Sequence, residues 1–218
     1  PDNEEAVEFI FKQFDEVLNC YPNCTRMTIG GDEPFELLKL PNANDIYLKH
    51  MSKVIEYVKS KGITPCMWGD VVKEYPETLD YLKDAILLEW GYEEGQINEK
   101  NCNMYKEYHV PYMVCPGTSG WLSFTGRMKN MLGNFKDAAA NGSTYGALGM
   151  VITDWNDGGA MSQLPTNLLS YAYGSCFAWS GNADYKKELH KYLDREIFKL
   201  ELSDSIFDLG NYYLCQEK

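Results

Sequence analysis

Apolar residues recur along the chain in two alternating rhythms. Between residues 3 and 18, Val7, Ile10, Phe11, Phe14, Val17 and Leu18 fall at the i, i+3, i+4, i+7 spacing of one helix face. Tyr21-Pro22-Asn23 breaks that run, and a short strand over 26–29 follows. A second helix, from about Asp45, aligns Tyr47, Met51, Val54, Ile55 and Val58 and stops at Lys61-Gly62. Short apolar runs then alternate with helical stretches. Strands are expected over 63–67, 85–88, 111–114 and 147–153, and helices over 76–82, 94–108, 126–140 (stopping at Asn141-Gly142) and 168–179. Two amphipathic segments, 185–198 and 203–213, close the chain. Five short strands separated by helices are the sequence sign of a parallel α/β sheet. No repeat, low-complexity tract or linker interrupts the pattern, which predicts one domain with a helical tail.

The strand exits carry glycines, acids and, in four of five cases, a tryptophan. In parallel sheets and barrels the C-terminal strand edges form one surface, where ligands bind. Asp32, Glu33, Trp68, Asp70, Glu89, Trp90, Trp121, Asp154, Trp155 and Asp157 are therefore expected to converge. An acidic pocket walled by indoles suits a neutral sugar, because the rings cover its C–H faces and the acids bind its hydroxyls. The most informative exit is Thr28-Ile29-Gly30-Gly31-Asp32-Glu33-Pro34-Phe35. Neighbouring residues of a regular strand point to opposite faces, so Asp32 and Glu33 could not both look into one pocket. Gly30-Gly31 releases the backbone from that geometry. Pro34 disfavours the α region for Glu33 and is expected to hold it extended at the rim. Two carboxylates sharing a pocket would divide protonation between them, as acid/base chemistry requires.

Composition narrows the class. The 218 residues are 44% hydrophobic and 24% charged, ordinary for a globular chain with a substantial core. No apolar run reaches the ~18–20 residues of a membrane span, and Pro1-Asp2-Asn3-Glu4-Glu5 reads as the start of a helix rather than a signal peptide. The net charge of -12, from 20 basic and 32 acidic residues, argues against nucleic acid and an anionic membrane surface. The seven cysteines fit neither a disulfide framework nor a zinc site. They read as reduced thiols, which favours a cytoplasmic compartment. The three histidines, His50, His109 and His190, read as surface or packing residues, so no metal or cofactor is expected.

Assembled, these motifs resemble the catalytic domain of the β-N-acetylhexosaminidases, glycoside hydrolase family 20. Gly30-Gly31-Asp32-Glu33, Trp68-Gly69-Asp70, Trp90 and Trp155-Asn156-Asp157 carry the resemblance, in the family's order, over 26–159. The resemblance implies a (β/α)8 TIM-barrel type of fold, present as a partial barrel of about five parallel strands, the family's strands four to eight. It implies a barrel domain over 1–182 and a packed helical segment over 183–218. Open sheet edges would favour self-association or a covering element, and the chain alone is expected to be inactive. Glu33 would match the general acid/base and Asp32 the residue that orients the 2-acetamido group and stabilises the oxazolinium. Trp68, Trp90, Trp121 and Trp155 would wall the pocket, and Asp157 would bind sugar hydroxyls. The implied partners are N-acetylhexosamine-containing glycans. Where the family places a tyrosine on the acetamido oxygen, this chain reads Gly117-Thr118-Ser119-Gly120-Trp121, leaving Ser119, Trp121 or a tyrosine elsewhere for that contact. Two other readings stand beside this one. One is a conventional retaining glycosidase with Glu89 or Asp157 as nucleophile, Glu89 having the alternative of a buried, paired strand acid. The other is a sugar-binding barrel piece without turnover.

Overall fold

Four of the five expected strands form where the apolar runs predict them. In the computed structural model, which describes residues 3–159, 161–182 and 186–215, β1 is Arg26–Thr28, β2 Thr64–Trp68, β3 Ile86–Trp90 and β4 Tyr112–Cys115. They make a four-stranded parallel sheet in the order β1-β2-β3-β4, flanked by helices. The expected α/β architecture is thus present, consistent with part of a TIM-type barrel. Pro1, Asp2, the expected boundary at residue 183 and the expected helix start at Tyr185 lie outside the described residues. The chain divides into two compact units: residues up to Glu89 with Asn103–Tyr112, and Trp90–Cys102 with Met113 onward. Among the described residues, no helix is long and apolar enough to cross a membrane.

In the first unit, α1 (Glu4–Cys20) begins at Asn3, whose Oδ1 accepts the Ala6 N–H at 3.1 Å. Only Val7 of its apolar stripe is fully buried; Ile10, Phe11, Phe14 and Leu18 are half-buried and Val17 is exposed. Helix α3 (Ala43–Ser60) instead buries the whole predicted face, Tyr47, Met51, Val54, Ile55 and Val58. Phe11 stacks on Tyr57 with ring centroids 3.8 Å apart, and the Tyr57 hydroxyl donates to Asp15 at 2.8 Å. Lys61 and Tyr57 together hold the Asp15 carboxyl below its ordinary range. Strands β1 and β2 pair Thr28 with Cys66, and β2 and β3 pair Cys66 with Ile86. Two short helices escape a periodicity argument: α2 (Phe35–Leu38) and α4 (Asp70–Glu74) are each under two turns long. Beyond them lie a 3₁₀ segment, Pro76–Tyr81, and α5 (Glu99–Glu107).

The second unit shows where the fifth expected strand went. The run over 147–153 keeps its parallel pairing but only as isolated bridges, Val114 with Met150 and Gly117 with Thr153. The Val114 N–H donates to Gly149 O and the Thr118 N–H to Thr153 O, while Leu148 and Val151 are exposed, as suits a frayed edge. Helix α6 (Met128–Tyr145) runs past the predicted stop at Asn141-Gly142. Gly142 is buried against Val114, and the left-handed residue that ends the helix is Gly146, at φ 82°. Helix α7 (Leu164–Ser180), α8 (Lys186–Leu193) and α9 (Ser203–Leu209) complete a core of Met128, Met131, Phe135, Leu169, Tyr173, Phe177 and Leu193. All seven cysteines are free thiols. His190 is buried, with Nε2 against the Tyr173 hydroxyl and Nδ1 against Asp204, each at 2.8 Å, so it acts in packing, as the sequence implied.

Asp194 joins the turn after α8 to the start of α9. Its carboxylate accepts the Ser203 hydroxyl at 2.7 Å and the N–H groups of Ser203 and Leu202. Burial would raise its pKa, but these hydrogen bonds and nearby His190 outweigh it and hold the carboxyl below the ordinary range. A depressed folded-state pKa stabilises the fold above the unfolded pKa and loses that contribution as pH falls through the folded one. Asp194→Asn should therefore be less stable than the wild type at neutral pH. The gap, followed by urea melts along an acid series, should close below the carboxylate range; a gap constant with pH would contradict it.

Candidate active site

The Asp-Glu segment sits at the exit of β1, in the first unit. Gly30 and Gly31 both take positive φ, 77° and 96°, as the expected departure from strand geometry demands. The Tyr47 hydroxyl donates to Gly31 O at 2.8 Å, and a Cβ on Gly31 would press on Tyr47 and Met51, so the turn is seated on α3. Burial pushes the Tyr47 phenol well above its ordinary pKa, helped by the Asp70 and Asp32 carboxylates, so it stays a neutral donor. Asp32 is exposed and forms part of the wall of a cavity of about 300 Å³ between α1, α3 and the 29–37 segment. Glu33 and Trp68 are not on that wall.

Glu33 departs from expectation. It is not extended: its φ is +48°, in the left-handed region that non-glycine residues occupy at a cost of order 1–3 kcal/mol. Pro34 excludes only the right-handed helical region, and a contact invisible to local sequence settles the rest. The Glu33 N–H donates to Asp70 Oδ2 at 2.8 Å, while the Phe35 N–H closes onto Glu33 O at 2.7 Å. The side chain of Glu33 is exposed.

Asp70 opens α4 directly after Gly69, and Gly69 has no room for a side chain because a Cβ would strike the Tyr105 hydroxyl and crowd Leu88 O. One turn along, Lys73 Nζ lies 2.9 Å from Glu89 Oε1. Glu89 is 0% exposed, and its Oε2 accepts the Tyr105 hydroxyl at 2.9 Å. The buried, paired strand acid is thus the description that fits Glu89; a carboxylate with no exposed surface cannot reach a sugar as a nucleophile.

The second unit gathers a different set. Trp90 and Tyr92 stack with centroids 5.2 Å apart, and Tyr92 meets Trp155 at 6.4 Å with a 56° tilt. Trp155 remains 37% exposed, so the cluster offers an open aromatic face. Asparagines of α6 fix the loop that carries Tyr92: Asn130 Nδ2 donates to Tyr92 O at 2.7 Å and to Ser119 Oγ at 2.9 Å, and Asn134 Nδ2 donates to Gly91 O at 2.9 Å. Arg127 clamps Glu93 bidentately. Beside Trp155, Asp154 accepts the Thr118 hydroxyl at 2.5 Å, the Asn167 amide at 2.9 Å and the Tyr171 hydroxyl. Burial and then this bond to Asp154 push the Tyr171 phenol up to about 12. Trp121 is half-buried, its indole Nε1 buried without a hydrogen-bond partner among the described residues. Asp157 is exposed. Among the described residues, no group of three or more His, Cys, Asp or Glu could hold a metal.

No family model matches the chain, and no curated protein matches it in sequence. A solved structure does: the β-N-acetylhexosaminidase from Bacteroides fragilis NCTC 9343, at 18% identity and a TM-score of 0.57 over 90% of this chain. The chain is similar in fold to a β-N-acetylhexosaminidase. It spans 44% of the length of that enzyme.

Within this hexosaminidase-like fold, the first unit brings Asp32 and Glu33 together with Asp70, and holds Trp68 half-buried at the end of β2. The second unit brings Trp90 and Trp155 together through Tyr92. Tyr92 and Tyr171 escaped the sequence reading. Tyr92 lies two residues past Trp90, the spacing that repeats a face along an extended segment, which is a usable signal. Tyr171 sits inside an apolar helix, and nothing local ties it to Asp154.

Proposed function

We infer that the protein is a glycoside hydrolase that removes terminal β-linked N-acetylhexosamine from glycans by substrate-assisted, retaining catalysis. The observation that carries this reading is the Asp32-Glu33 pair on its left-handed diglycine turn at a strand exit, in a fold similar to a β-N-acetylhexosaminidase. In this reading Glu33 protonates the glycosidic oxygen as the substrate's acetamido oxygen attacks the anomeric carbon and the C–O bond to the leaving group breaks. Asp32 orients the acetamido group and offsets the positive charge that develops on its nitrogen. Water then opens the oxazolinium, giving its proton to the Glu33 carboxylate, and two inversions return the original configuration. Trp68, Trp90, Trp121 and Trp155 bind the sugar, and Asp157 takes its hydroxyls. The buried position of Glu89 speaks against that residue as a second, nucleophilic carboxylate.

The test compares two aryl β-glycosides on the full-length protein, one with and one without the 2-acetamido group. The N-acetylglucosaminide should turn over, and the glucoside should lose at least about 1,000-fold in kcat/KM, since it lacks its own nucleophile. Comparable rates on both would replace this mechanism with a conventional two-carboxylate one.

A further inference from the structure

The geometry assigns Asp70 the role of positioning residue for Glu33: its carboxylate holds the Glu33 backbone in the left-handed conformation, and so sets where the acid/base side chain begins. The inference rests on the reading of Glu33 as acid/base and adds a residue to it. A non-glycine residue at φ +48° before a proline does not hold that shape by local preference, so the surrounding structure must impose it. The Glu33 N–H donates instead to a residue 37 positions away, Asp70 Oδ2 at 2.8 Å. A carboxylate acceptor makes this bond stronger than a neutral one would.

Asp70 is itself held. Just before it, the Gly69 N–H donates to Leu88 O at 3.0 Å, which ties the start of α4 to β3. Three residues on, on the same face of the helix, Lys73 reaches the buried Glu89 at 2.9 Å. Tyr105 closes the arrangement, its hydroxyl on Glu89 and 3.4 Å from Gly69 O. The short helix is therefore pinned at both ends of its first turn, and Asp70 transmits that fixed position to the Glu33 amide. A catalytic side chain displaced by about 1 Å loses roughly 100-fold in rate, so an anchor on its backbone has kinetic weight.

The test is amide exchange at Glu33, read by NMR, together with aryl β-N-acetylglucosaminide kinetics, on the full-length protein as wild type, Asp70→Ala and Asp70→Asn. In Asp70→Ala the Glu33 amide should exchange at least about tenfold faster, as expected for one lost charge-assisted hydrogen bond. Its kcat should fall by about 100-fold with KM nearly constant. Asn keeps an acceptor oxygen at the same reach, so Asp70→Asn should restore most of both losses, with the Glu33 amide proton shifted upfield by the weaker, neutral acceptor. Should Asp70→Ala not fold, that upfield shift in Asp70→Asn decides alone. An unmoved Glu33 amide in either variant, or Asp70→Asn as impaired as Asp70→Ala, overturns the proposal. A full-length wild type that turns nothing over would sink the glycosidase reading, while the amide measurements would still judge Asp70.

Discussion

Replacing Glu33 by Gln should lower turnover of an aryl β-N-acetylglucosaminide by about 100- to 10,000-fold, the range expected for removing a general acid/base. Gln keeps the volume and hydrogen-bonding reach of Glu but carries no transferable proton, so binding should be spared and KM should change little. Substrate-assisted catalysis sharpens the expectation. A phenol with a low pKa leaves without much protonation, so the first step suffers less with an activated leaving group. Opening of the oxazolinium by water still requires a base, so the second step suffers whatever the leaving group. The loss should therefore grow as the leaving-group pKa rises, and a poor leaving group such as a second sugar should show the largest. Steady-state kinetics across a series of aryl glycosides reads this slope. Wild-type rates in Glu33→Gln across the whole series would remove Glu33 from the mechanism, even though its position beside Asp32 would be unaltered.

The second large effect is on stability. Lys73→Met should destabilise the first unit by about 3–5 kcal/mol, because it removes the ammonium facing the Glu89 carboxylate at a site with no solvent access. Lys73 is 26% exposed, so its own charge is readily solvated, and the cost falls on the acid left behind. Tyr105 would still donate its hydroxyl to Glu89, and a neutral hydroxyl does not replace the ammonium charge at a buried carboxylate. Glu89→Gln added to Lys73→Met should recover much of the loss, since it removes the buried negative charge while keeping an acceptor for Tyr105. Urea denaturation of the two variants beside the wild type measures both numbers. A loss of under about 1 kcal/mol in Lys73→Met would make the pair behave as a surface ion pair, and the account of Glu89 as a buried charge would fail.

The division between what was legible and what was not follows the range of the interactions. Periodicity located β2, β3 and β4 to within a residue or two and the buried face of α3 residue by residue, because each reports only which side of one element faces the core. Residue type placed the departure from strand geometry at Gly30-Gly31, where both residues take positive φ. It overextended the strand at 147–153, whose hydrophobicity matches that of its partners but whose outer edge is exposed. It stopped α6 early at Gly142, because a glycine packed against Val114 looks, in sequence, like a glycine that ends a helix.

By itself, then, the sequence determined the order of strands and helices, the diglycine turn ahead of Asp32 and Glu33, and the aromatic and acidic character of the strand exits. Each of these is a property of a few consecutive residues. Tertiary structure alone decided that Glu33 is left-handed rather than extended, that Glu89 is buried against Lys73 and Tyr105, and that Asp154 gathers Thr118, Asn167 and Tyr171. Those outcomes hang on hydrogen bonds between residues 13 to 37 positions apart. Local spacing fixes which face of an element is apolar, but it does not fix which polar groups meet once those faces are buried.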